Sequence, residues 1–472
     1  MKIEEFFKIR GYDIKGIIEY KSNNSEYLGW YKGFVENFHK YYIYNGEREV
    51  FNNRYTLNMP KKICESFADF LMNERVKITL GDDKSTDILN ELLIKSNFWV
   101  KANQAVEKTF ALGTGCFLLS LDKEKEIKLQ FVNADNIYPL TYDNEGITEC
   151  AFVSDKSVFN KETLQTEVIR DVQTHTLDDL GNYVIRNFRF IVSEGEDLRE
   201  IPVNDIPAEV QTGSDLRWFV PIKPNVVNNI YLDSPFGLPI YANSLDTIKA
   251  LDLTYDSFVN EIQNGRKRLF VTQEAMKVGS DGCFKNAFDP TDVLFYILDG
   301  NFSDNKSNYV QEVNGELRVT DLNNSIQTNL NLLSTKLGLG EQYFKFENGA
   351  IAKTATEVIS ENSDLFRTIK KHEVILESAL IELVHNIAKI GKEANIFAIS
   401  DENISIDFDD SIIESKEQEI KKDRLDVEMG AMSLTEYRMK WYGEDEKTAK
   451  SKIEEINTSN NTHDFSKKEV NK

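Results

Sequence analysis

Apolar residues recur every three or four positions through most of the first 110 residues, a spacing typical of helices that pack by one face. We predict helices over 59–74, which has Pro60 in its first turn, over 86–96 and over 98–112. The strongly aromatic segment 27–42 is predicted to be helical as well. The first part of the chain is therefore expected to be mainly α-helical.

Between 115 and 220 the apolar period changes to two, which is typical of strands with one buried face. Turn-forming residues separate the clearest runs, which are 127–132, 147–153 and 182–192. We predict an antiparallel β region here. Four of the nine prolines then fall between 221 and 239, which indicates a boundary.

Beyond these prolines the helical spacing returns, over 241–265 and again over 320–337. Three short β-rich runs, RLFVT, VLFYIL and GELRV, lie between the two helices. We therefore predict a small αβ module at 266–319, inserted between two helices.

A segment with three glycines, 338–350, precedes the longest predicted helix of the chain. That helix begins at a Thr354–Glu357 capping box and can extend for about 37 residues, to Gly391. The run 404–410 then alternates like a strand. The polar C-terminal tail is expected to be disordered. Before the tail come three predicted charged helices, 413–428, 433–441 and 444–456.

The composition is that of an acidic globular chain. Its 472 residues include 56 Lys and Arg against 78 Asp and Glu, a formal net charge of −22, and 41% of the residues are apolar. This length favours about two to four folding units. The four cysteines are too far apart for a zinc finger or a disulfide framework. The opening residues do not resemble a signal peptide, and the longest charge-free run, 109–121, is too short to span a membrane.

The short motifs that would indicate an enzyme are incomplete. The Gly-Lys pair at 391–392 lacks the other positions of a phosphate-binding loop, and the Gly-Thr-Gly run at 113–115 is only the first half of a dinucleotide fingerprint. His372 and Glu373 lack the second histidine of a zinc-protease motif, so His372 is expected to be a partly exposed helix residue. No cofactor is predicted.

Three carboxylates, Asp407, Asp409 and Asp410, lie at the end of the predicted strand. Clustered carboxylates can hold a hard divalent cation, which would suit a metal-dependent hydrolase or nuclease. The glycine and the distal glutamate of an EF-hand loop are missing. A solvated strand end is therefore the favoured interpretation, and no metal site is predicted.

The densest basic cluster, Arg266, Lys267 and Arg268, directly follows the predicted helix 241–265. Such residues can contact nucleic-acid phosphates, or they can complement the negative end of the helix dipole. Both interpretations stay open.

A second unusual segment, within 338–350, combines aromatic side chains with a cation: Tyr343, Phe344, Lys345 and Phe346. An exposed loop of this kind is typical of a contact with a partner. Packing of its aromatic side chains back onto the flanking helices is an equal alternative.

Three stretches of the chain resemble portal proteins of tailed bacteriophages that infect Gram-positive bacteria: 132–153, 353–384 and 408–450. The order of segments agrees across nearly the whole chain. The resemblance implies an α+β portal fold and a protein that is not an enzyme. It also implies a ring, usually of twelve subunits, at one capsid vertex of the virion, assembled in the host cytoplasm. The terminase motor drives double-stranded DNA through such a ring, and the DNA later leaves through it.

The resemblance implies several partners and no membrane. They are other copies of the chain, double-stranded DNA bound without regard to sequence, the terminase large subunit, the major capsid and scaffolding proteins, and head completion or adaptor proteins. A portal of a defective, DNA-free particle would have the same architecture, and the sequence does not separate the two.

Subunits of this family are divided into wing, stem, clip and crown regions. The division implied here is a wing at 1–240, stem helices at 241–265 and 320–337, a clip at 266–319, a tunnel loop at 338–350, a long connecting helix at 351–392, a wing strand at 393–412 and a crown with a disordered tail at 413–472. The clip would dock terminase and then the head completion proteins, with Arg266, Lys267 and Arg268 at its junction with the stem. The tunnel loop would line the narrowest part of the channel with Gln342, Tyr343, Phe344, Lys345, Phe346 and Asn348.

The negative charge suits a conduit for DNA better than a tight binder, because affinity for DNA comes chiefly from neutralising phosphates. Acidic subunits around a duplex would repel it over a Debye length of about 8 Å and keep it centred. Lys345 and its aromatic neighbours would then form a sparse ring of contacts rather than a binding site.

Overall fold

The structure is a computed structural model that forms two compact units, Met1–Phe408 and Asp409–Lys472. Both helices and sheets are present, which confirms the predicted α+β class. The residues that it describes are 1–44, 46–73, 76–121, 126–143, 146–160, 165–265, 268–272, 277–278, 284–285, 295–298, 310–313, 316–346, 355–408 and 416–456.

The described helices are α1 (Ile3–Ile9), α2 (Lys15–Lys32), α3 (Glu36–His39), α4 (Met59–Leu71), α5 (Asp83–Lys95), α6 (Phe98–Leu112), α7 (Leu245–Asn264), α8 (Val319–Lys336), α9 (Ala355–Glu393), α10 (Lys416–Glu428), α11 (Leu434–Tyr442) and α12 (446–456). Every helix among these residues is too short or too polar to cross a lipid bilayer.

The described strands are β1 (Lys40–Tyr44), β2 (Glu49–Asn53), β3 (Lys77–Thr79), β4 (Gly115–Leu121), β5 (Ile127–Asn133), β6 (Ile137–Tyr142), β7 (Ile147–Asn160), β8 (Gln165–Leu177), β9 (Tyr183–Ser193), β10 (Asp197–Ile201), β11 (Glu209–Gln211), β12 (Phe219–Ile222), β13 (Arg268–Thr272), β14 (Lys277–Val278), β15 (Phe284–Lys285), β16 (Phe295–Leu298), β17 (Val310–Val313) and β18 (Ser405–Asp407).

The predicted antiparallel β region is confirmed as two sheets. One runs in the order β10-β9-β8-β7-β6, with β11 also paired to β9, and the other runs β12-β4-β5. The N-terminal helix α1 and the start of α2 bury their apolar residues against this region. Phe6, for example, is fully buried edge-on to Phe190, with 5.2 Å between the ring centroids. The main apolar core thus joins the N-terminus to the sheets.

The glycine run at 113–115 serves close packing. Gly113 ends α6 with a φ of 81°, and a Cβ atom there would collide with the carbonyl group of Gly237. A Cβ atom on Gly115 would collide with the Thr109 hydroxyl. These contacts explain the two glycines without any nucleotide.

The prediction of one helix over 27–42 is wrong. Helix α2 ends at Lys32 because Gly33 adopts the left-handed conformation, with a φ of 79°. The chain then makes the short helix α3 and the hairpin β1–β2. Aromatic residues have a high strand propensity, and here that propensity prevails over the helix-like spacing.

The αβ module predicted at 266–319 is described only in part. Strand β13 pairs in parallel with β16 and antiparallel with β17. The run GELRV was predicted to be a strand, and this is wrong: 316–318 has no regular structure and Val319 already begins α8. The third strand of this sheet is instead Val310–Val313.

The long predicted helix is confirmed as α9, which has 39 residues. Its proposed capping residue, Thr354, lies outside the described residues. The strand predicted at 404–410 is confirmed over Ser405–Asp407, where it pairs antiparallel with β3. That partner lies 326 residues earlier in the chain, at Thr79 against Ser405.

The second unit contains the charged helices α10, α11 and α12. Ser433 and Glu436 form the predicted capping box at the start of α11. Two contacts then hold α11 in place: the Trp441 indole N–H donates to Asp423 of α10 at 2.8 Å, and Arg438 forms a two-bond pair with Glu444, at 2.9 and 3.0 Å. Polar contacts therefore organise this unit more than an apolar core does.

Candidate functional site

Helices α7 and α8 form an antiparallel pair whose two ends are joined by polar contacts. At one end the Arg318 guanidinium donates to the Glu261 carboxylate, with Nη2 2.8 Å from Oε2 and Nε 3.3 Å from Oε1. At the other end Lys336 Nζ donates to the Thr247 hydroxyl at 2.8 Å. The segment that connects α7 to α8 therefore begins and ends at the same end of the helix pair.

Two carboxylates hold α7 to the segment that precedes α4. Asp252 accepts hydrogen bonds from the Leu57 amide and the Thr56 hydroxyl, both at 2.9 Å. Asp256 accepts one from the Tyr55 amide at 3.1 Å. Both carboxylates are buried, and burial raises the pKa of Asp252. The hydrogen bonds offset part of the cost of removing these charges from water.

The chain after α8 reverses direction at two glycines with positive φ, Gly338 at 70° and Gly340 at 87°. The Thr368 hydroxyl of α9 donates to the carbonyl oxygen of Gly338 at 2.7 Å. A Cβ atom at position 338 would collide with that hydroxyl. Both the backbone conformation and the available space therefore require glycine there.

The side-chain amide of Gln327, on α8, holds the backbone of the following loop. Its Nε2 donates to the carbonyl oxygen of Phe344 at 3.1 Å, and its Oε1 accepts from the amide of Phe346 at 2.9 Å. The Ser334 hydroxyl accepts from the Phe344 amide at 3.3 Å. The loop is thus hydrogen-bonded to the helix that it follows.

The aromatic side chains of this loop pack onto neighbouring helices. Phe344 is buried, and Tyr343 contacts Phe70 of α4, with 6.0 Å between the ring centroids. Phe346 lies edge-on to Phe258 of α7 at 5.9 Å. In the single chain the aromatic residues therefore follow the packing interpretation, and the cation between them is exposed.

Helix α9 is fixed to the loop that leads into β12. Its Glu382 carboxylate accepts two hydrogen bonds from Arg217, at 2.6 and 2.9 Å. One turn later Asn386 donates to the Arg217 carbonyl oxygen at 2.8 Å, and Lys389 forms an ion pair with Asp215 at 3.1 Å. Three side chains on one face of α9 thus hold it against the β region.

The expectation of a partly exposed His372 is wrong. This side chain is buried between Phe67 of α4 and Phe110 of α6, with 5.4 and 5.1 Å between ring centroids. Its Nδ1 accepts the Asn225 amide N–H at 3.0 Å, so Nδ1 carries no proton. Burial lowers the pKa of His372 to about 4. The histidine is a neutral core residue.

A family model described as phage portal protein, SPP1 Gp6-like, matches residues 11–463, which is nearly the whole chain. The chain belongs to this family of phage portal proteins. The family resemblance predicted from the sequence is confirmed, and with it the role as the head-tail connector in genome packaging. No curated protein matches the chain.

Not all of the predicted contact residues of this portal protein can be placed. Arg266 and Lys267 lie outside the described residues, and Arg268 begins strand β13, where its partner is Val313 of β17. In the predicted tunnel loop Gln342 is half-buried, Lys345 is exposed and Asn348 lies outside the described residues.

The predicted acidic cluster of the portal chain is described at one position. Asp407 ends β18 opposite Lys77 of β3, while Asp409 and Asp410 lie outside the described residues. In the part of the chain that the structure describes, no three His, Cys, Asp or Glu side chains are grouped so as to hold a metal ion.

The exposed side of α8 in this portal chain is polar but carries few charges. Its exposed residues within the helix are Thr320, Asp321, Asn324, Ser325, Thr328, Leu332, Thr335 and Lys336. Hydroxyl and amide groups can hydrogen-bond to water but do not neutralise phosphates. Such a face gives little electrostatic attraction to DNA.

Sequence reasoning missed the residues that fix this part of the portal chain. Asp252 and Asp256 follow the buried Ile248 at steps of four, so two carboxylates continue a buried line of α7. That pattern was a usable signal. Gln327 and Thr368 gave no such signal, because their partners are backbone groups of a loop whose path the sequence does not reveal.

Proposed function

We propose that this chain assembles into a closed ring, usually of twelve copies in this family, at one capsid vertex of the virion. Double-stranded DNA would enter through the ring during packaging and leave through it later, without recognition of its sequence. The observation that carries the proposal is the family match over residues 11–463. The subunit acts as a structural conduit, and the motor activity is supplied by terminase.

In this proposal α7 and α8 are the stem, and the exposed side of α8 faces the DNA. Two features support the assignment. The helix pair is joined at both ends, so it can serve as a stiff wall. Its exposed polar face has few charges, so it would offer a duplex few fixed contacts during sliding.

The other regions follow from the same proposal. The wing is 1–240 with the strand within 393–412, the clip is 266–319, the tunnel loop is 338–350, the connecting helix is 351–392 and the crown is 413–472. The clip, with the basic cluster Arg266, Lys267 and Arg268, would dock terminase and then the head completion proteins. The wing would contact the major capsid and scaffolding proteins, and assembly would precede DNA entry, in the host cytoplasm.

The tunnel loop in this proposal is held from behind and presents one cation. Gln327 and Ser334 hold its backbone, and its aromatic rings rest on α4 and α7. Lys345 is then the side chain left to touch a passing phosphate. A single cation per subunit forms a sparse ring of contacts, which suits retention of DNA without tight binding.

The mass of the purified protein tests the proposal. Twelve copies of 54.3 kDa give a particle of about 650 kDa, which native mass spectrometry resolves from neighbouring subunit numbers. An image down the symmetry axis should show a central channel. A compact monomer at all concentrations would contradict the proposal.

The tunnel loop is tested by Lys345→Ala. The Lys345 side chain is exposed and takes no part in the hydrogen bonds by which Gln327 and Ser334 hold the loop. The variant should therefore form normal rings. We expect it to lower the amount of DNA retained in filled particles. Lys371→Ala, at an exposed lysine of α9, is the matched control. Equal retention in both variants would remove Lys345 from the proposed contact ring.

A further inference from the structure

The hairpin β1–β2 exposes large apolar side chains. Its two strands pair from Lys40 opposite Asn53 to Tyr44 opposite Glu49. The exposed fractions of its apolar residues are 66% for Tyr42, 50% for Ile43, 67% for Tyr44 and 45% for Phe51. At about 150–250 Å² for a full aromatic side chain, this amounts to roughly 400 Å² of exposed surface. A patch of that size on a monomer is often functional.

Within the described residues one face of the hairpin is exposed, and the other is only partly covered, because Tyr41 and Val50 are half-buried. Side chains alternate between the two faces of a strand, so Tyr42, Tyr44 and Phe51 share one face, while Ile43 and Val50 share the other. Among the described residues, no third strand pairs with either edge. A two-stranded hairpin is marginally stable by itself in water. The apolar face formed by Tyr42, Tyr44 and Phe51 is therefore exposed in the described part of the chain.

The base of the hairpin is firmly held. His39 is buried at its start, where Nδ1 accepts the Val35 amide N–H at 2.8 Å, and its carbonyl oxygen accepts the Arg54 amide N–H at 2.8 Å. The Arg54 guanidinium donates to the Phe38 carbonyl oxygen at 2.5 Å and lies 4.9 Å from the ring centre of Tyr41. The direction of the hairpin is thus fixed before any partner binds.

This base is also tied to α7, the proposed stem helix. His39 Nε2 lies 3.5 Å from an oxygen of the buried Asp252, and the residues just after the hairpin donate to Asp252 and Asp256. The Gln263 amide on α7 donates to the Tyr55 hydroxyl at 3.0 Å. Tyr55, which is itself exposed, thus joins the base of the hairpin to the C-terminal part of α7.

We infer that the β1–β2 hairpin is an arm that packs on the next copy of this chain in the ring. The inference rests on the proposed ring. A ring closed by head-to-tail contacts needs two different patches on each subunit. A hairpin that is held at its base and tied to α7 supplies one of them. A stable interface needs about 800 Å² per partner, and the hairpin provides about half of that area.

Labelling of tyrosine side chains tests the arm directly. Wild-type protein is iodinated once as assembled rings and once as protomers dissociated by dilution, and the labelled sites are read by mass spectrometry. We expect Tyr42 and Tyr44 to be labelled in protomers and to lose that labelling in rings. Tyr142, also exposed but at the end of β6, is the internal reference.

Three outcomes overturn the inference. If rings form and Tyr42 and Tyr44 are labelled as strongly as in protomers, the hairpin is not at the ring interface, although the proposed function stands. If they are protected only in capsids, the partner is a capsid protein. If the protein never forms rings, the proposed function fails together with the arm.

A variant gives a second, independent test. The triple change Tyr42→Thr, Ile43→Thr and Tyr44→Thr places β-branched residues, which favour strands, at all three positions and removes the apolar surface. We expect loss of the ring and a folded protomer of about 54.3 kDa, with its circular dichroism unchanged. Rings as stable as those of the wild type would contradict the inference.

The matched control is a variant in a second hairpin, β7–β8. Val158→Thr with Phe159→Thr removes exposed apolar side chains near the end of β7, where 43% and 57% of these two side chains are exposed. This variant should still form rings. Loss of the ring in both variants would show a general effect of surface polarity, and the arm would then be rejected.

Discussion

Gln327 holds the backbone of a loop and also donates to the Asn331 side chain, one turn along α8, at 2.7 Å. Its amide satisfies one carbonyl oxygen and one N–H, at Phe344 and Phe346. Side-chain amides suit this task because they donate and accept at once. One residue of α8 therefore sets the path of the loop that follows it.

We expect Gln327→Ala to lower the free energy of unfolding by about 1–2 kcal/mol, since its two hydrogen bonds to the loop and the one to Asn331 are lost. Urea denaturation measures the change. Hydrogen exchange at the Phe346 amide should become faster, because its acceptor is gone. Thr328→Ala, at the next and exposed position, is the control and should leave exchange at Phe346 as it was.

The buried His372 makes stability depend on pH. Burial holds its pKa at about 4, against 6.5 for an ordinary histidine. Between these two pH values the unfolded chain binds a proton that the folded chain excludes, so the free energy of unfolding falls as the pH falls. The loss that it contributes should reach roughly 3 kcal/mol at pH 4.

The variant His372→Phe isolates this contribution, because phenylalanine keeps ring contacts with Phe67 and Phe110 and cannot bind a proton. Its unfolding free energy should fall less steeply between pH 6.5 and 4 than that of the wild type. His175 is also buried, with its pKa lowered to about 3, and contributes equally to both proteins. Parallel curves would show that His372 does not titrate in this way.

Local patterns predicted the helices well, and non-local contacts account for what was missed. The spacing of apolar residues predicted α6 at 98–112 and a helix at 241–265, where α7 lies, because that signal is within the element itself. The pairing of β18 with β3 joins residues far apart in the chain, so no local pattern reveals it. The burial of His372 likewise depends on two other helices.

The candidate site was predictable to a similar degree. A glycine-rich loop with aromatic residues and a cation between two helices was visible in the sequence. Its inward packing onto α4 and α7 was one of two open alternatives, because the neighbours of a loop come from distant segments. The hairpin β1–β2 was missed because its aromatic residues also fitted a helical spacing.

The turn that ends α8 should not tolerate a side chain at position 338. Gly338→Ala places an alanine at a φ of 70° and against the Thr368 hydroxyl, so we expect a loss of about 1–3 kcal/mol by thermal or urea unfolding. In the double variant with Thr368→Ala the collision is removed. The losses of unfolding free energy in the two single variants, added together, should therefore exceed the loss in the double variant.

The attachment of α9 to the β region can be weakened at one carboxylate. Glu382→Gln keeps the size of the side chain but removes the charge that accepts two hydrogen bonds from Arg217, so a loss of about 1–2 kcal/mol is expected. Glu377→Gln, on the same helix, is the control. An equal change in both variants would show that the Arg217 contact adds no stability.

The net charge of −22 is spread over a chain whose α8 face is nearly neutral. In a ring, the acidic outer surface would repel DNA. The exposed face of α8 would neither bind the DNA tightly nor repel it strongly. We expect the wild-type ring to bind linear double-stranded DNA weakly, with an affinity that changes little with salt.

Placing lysines on the exposed face of α8 should raise the affinity for DNA and make it depend on salt. The variant with Thr320→Lys, Asn324→Lys and Thr328→Lys puts three lysines on one line of α8. Its DNA affinity should fall with rising salt, with a logarithmic slope that grows by about 0.9 for each phosphate neutralised, and packaging should slow. A slope unchanged from the wild type would place this face of α8 away from the DNA.

The meeting of Glu261 with Arg318 makes the segment between them an insertion whose two termini are adjacent. A foreign domain with neighbouring termini, such as a fluorescent reporter or an affinity handle, could be grafted at that point with little disturbance to the helices.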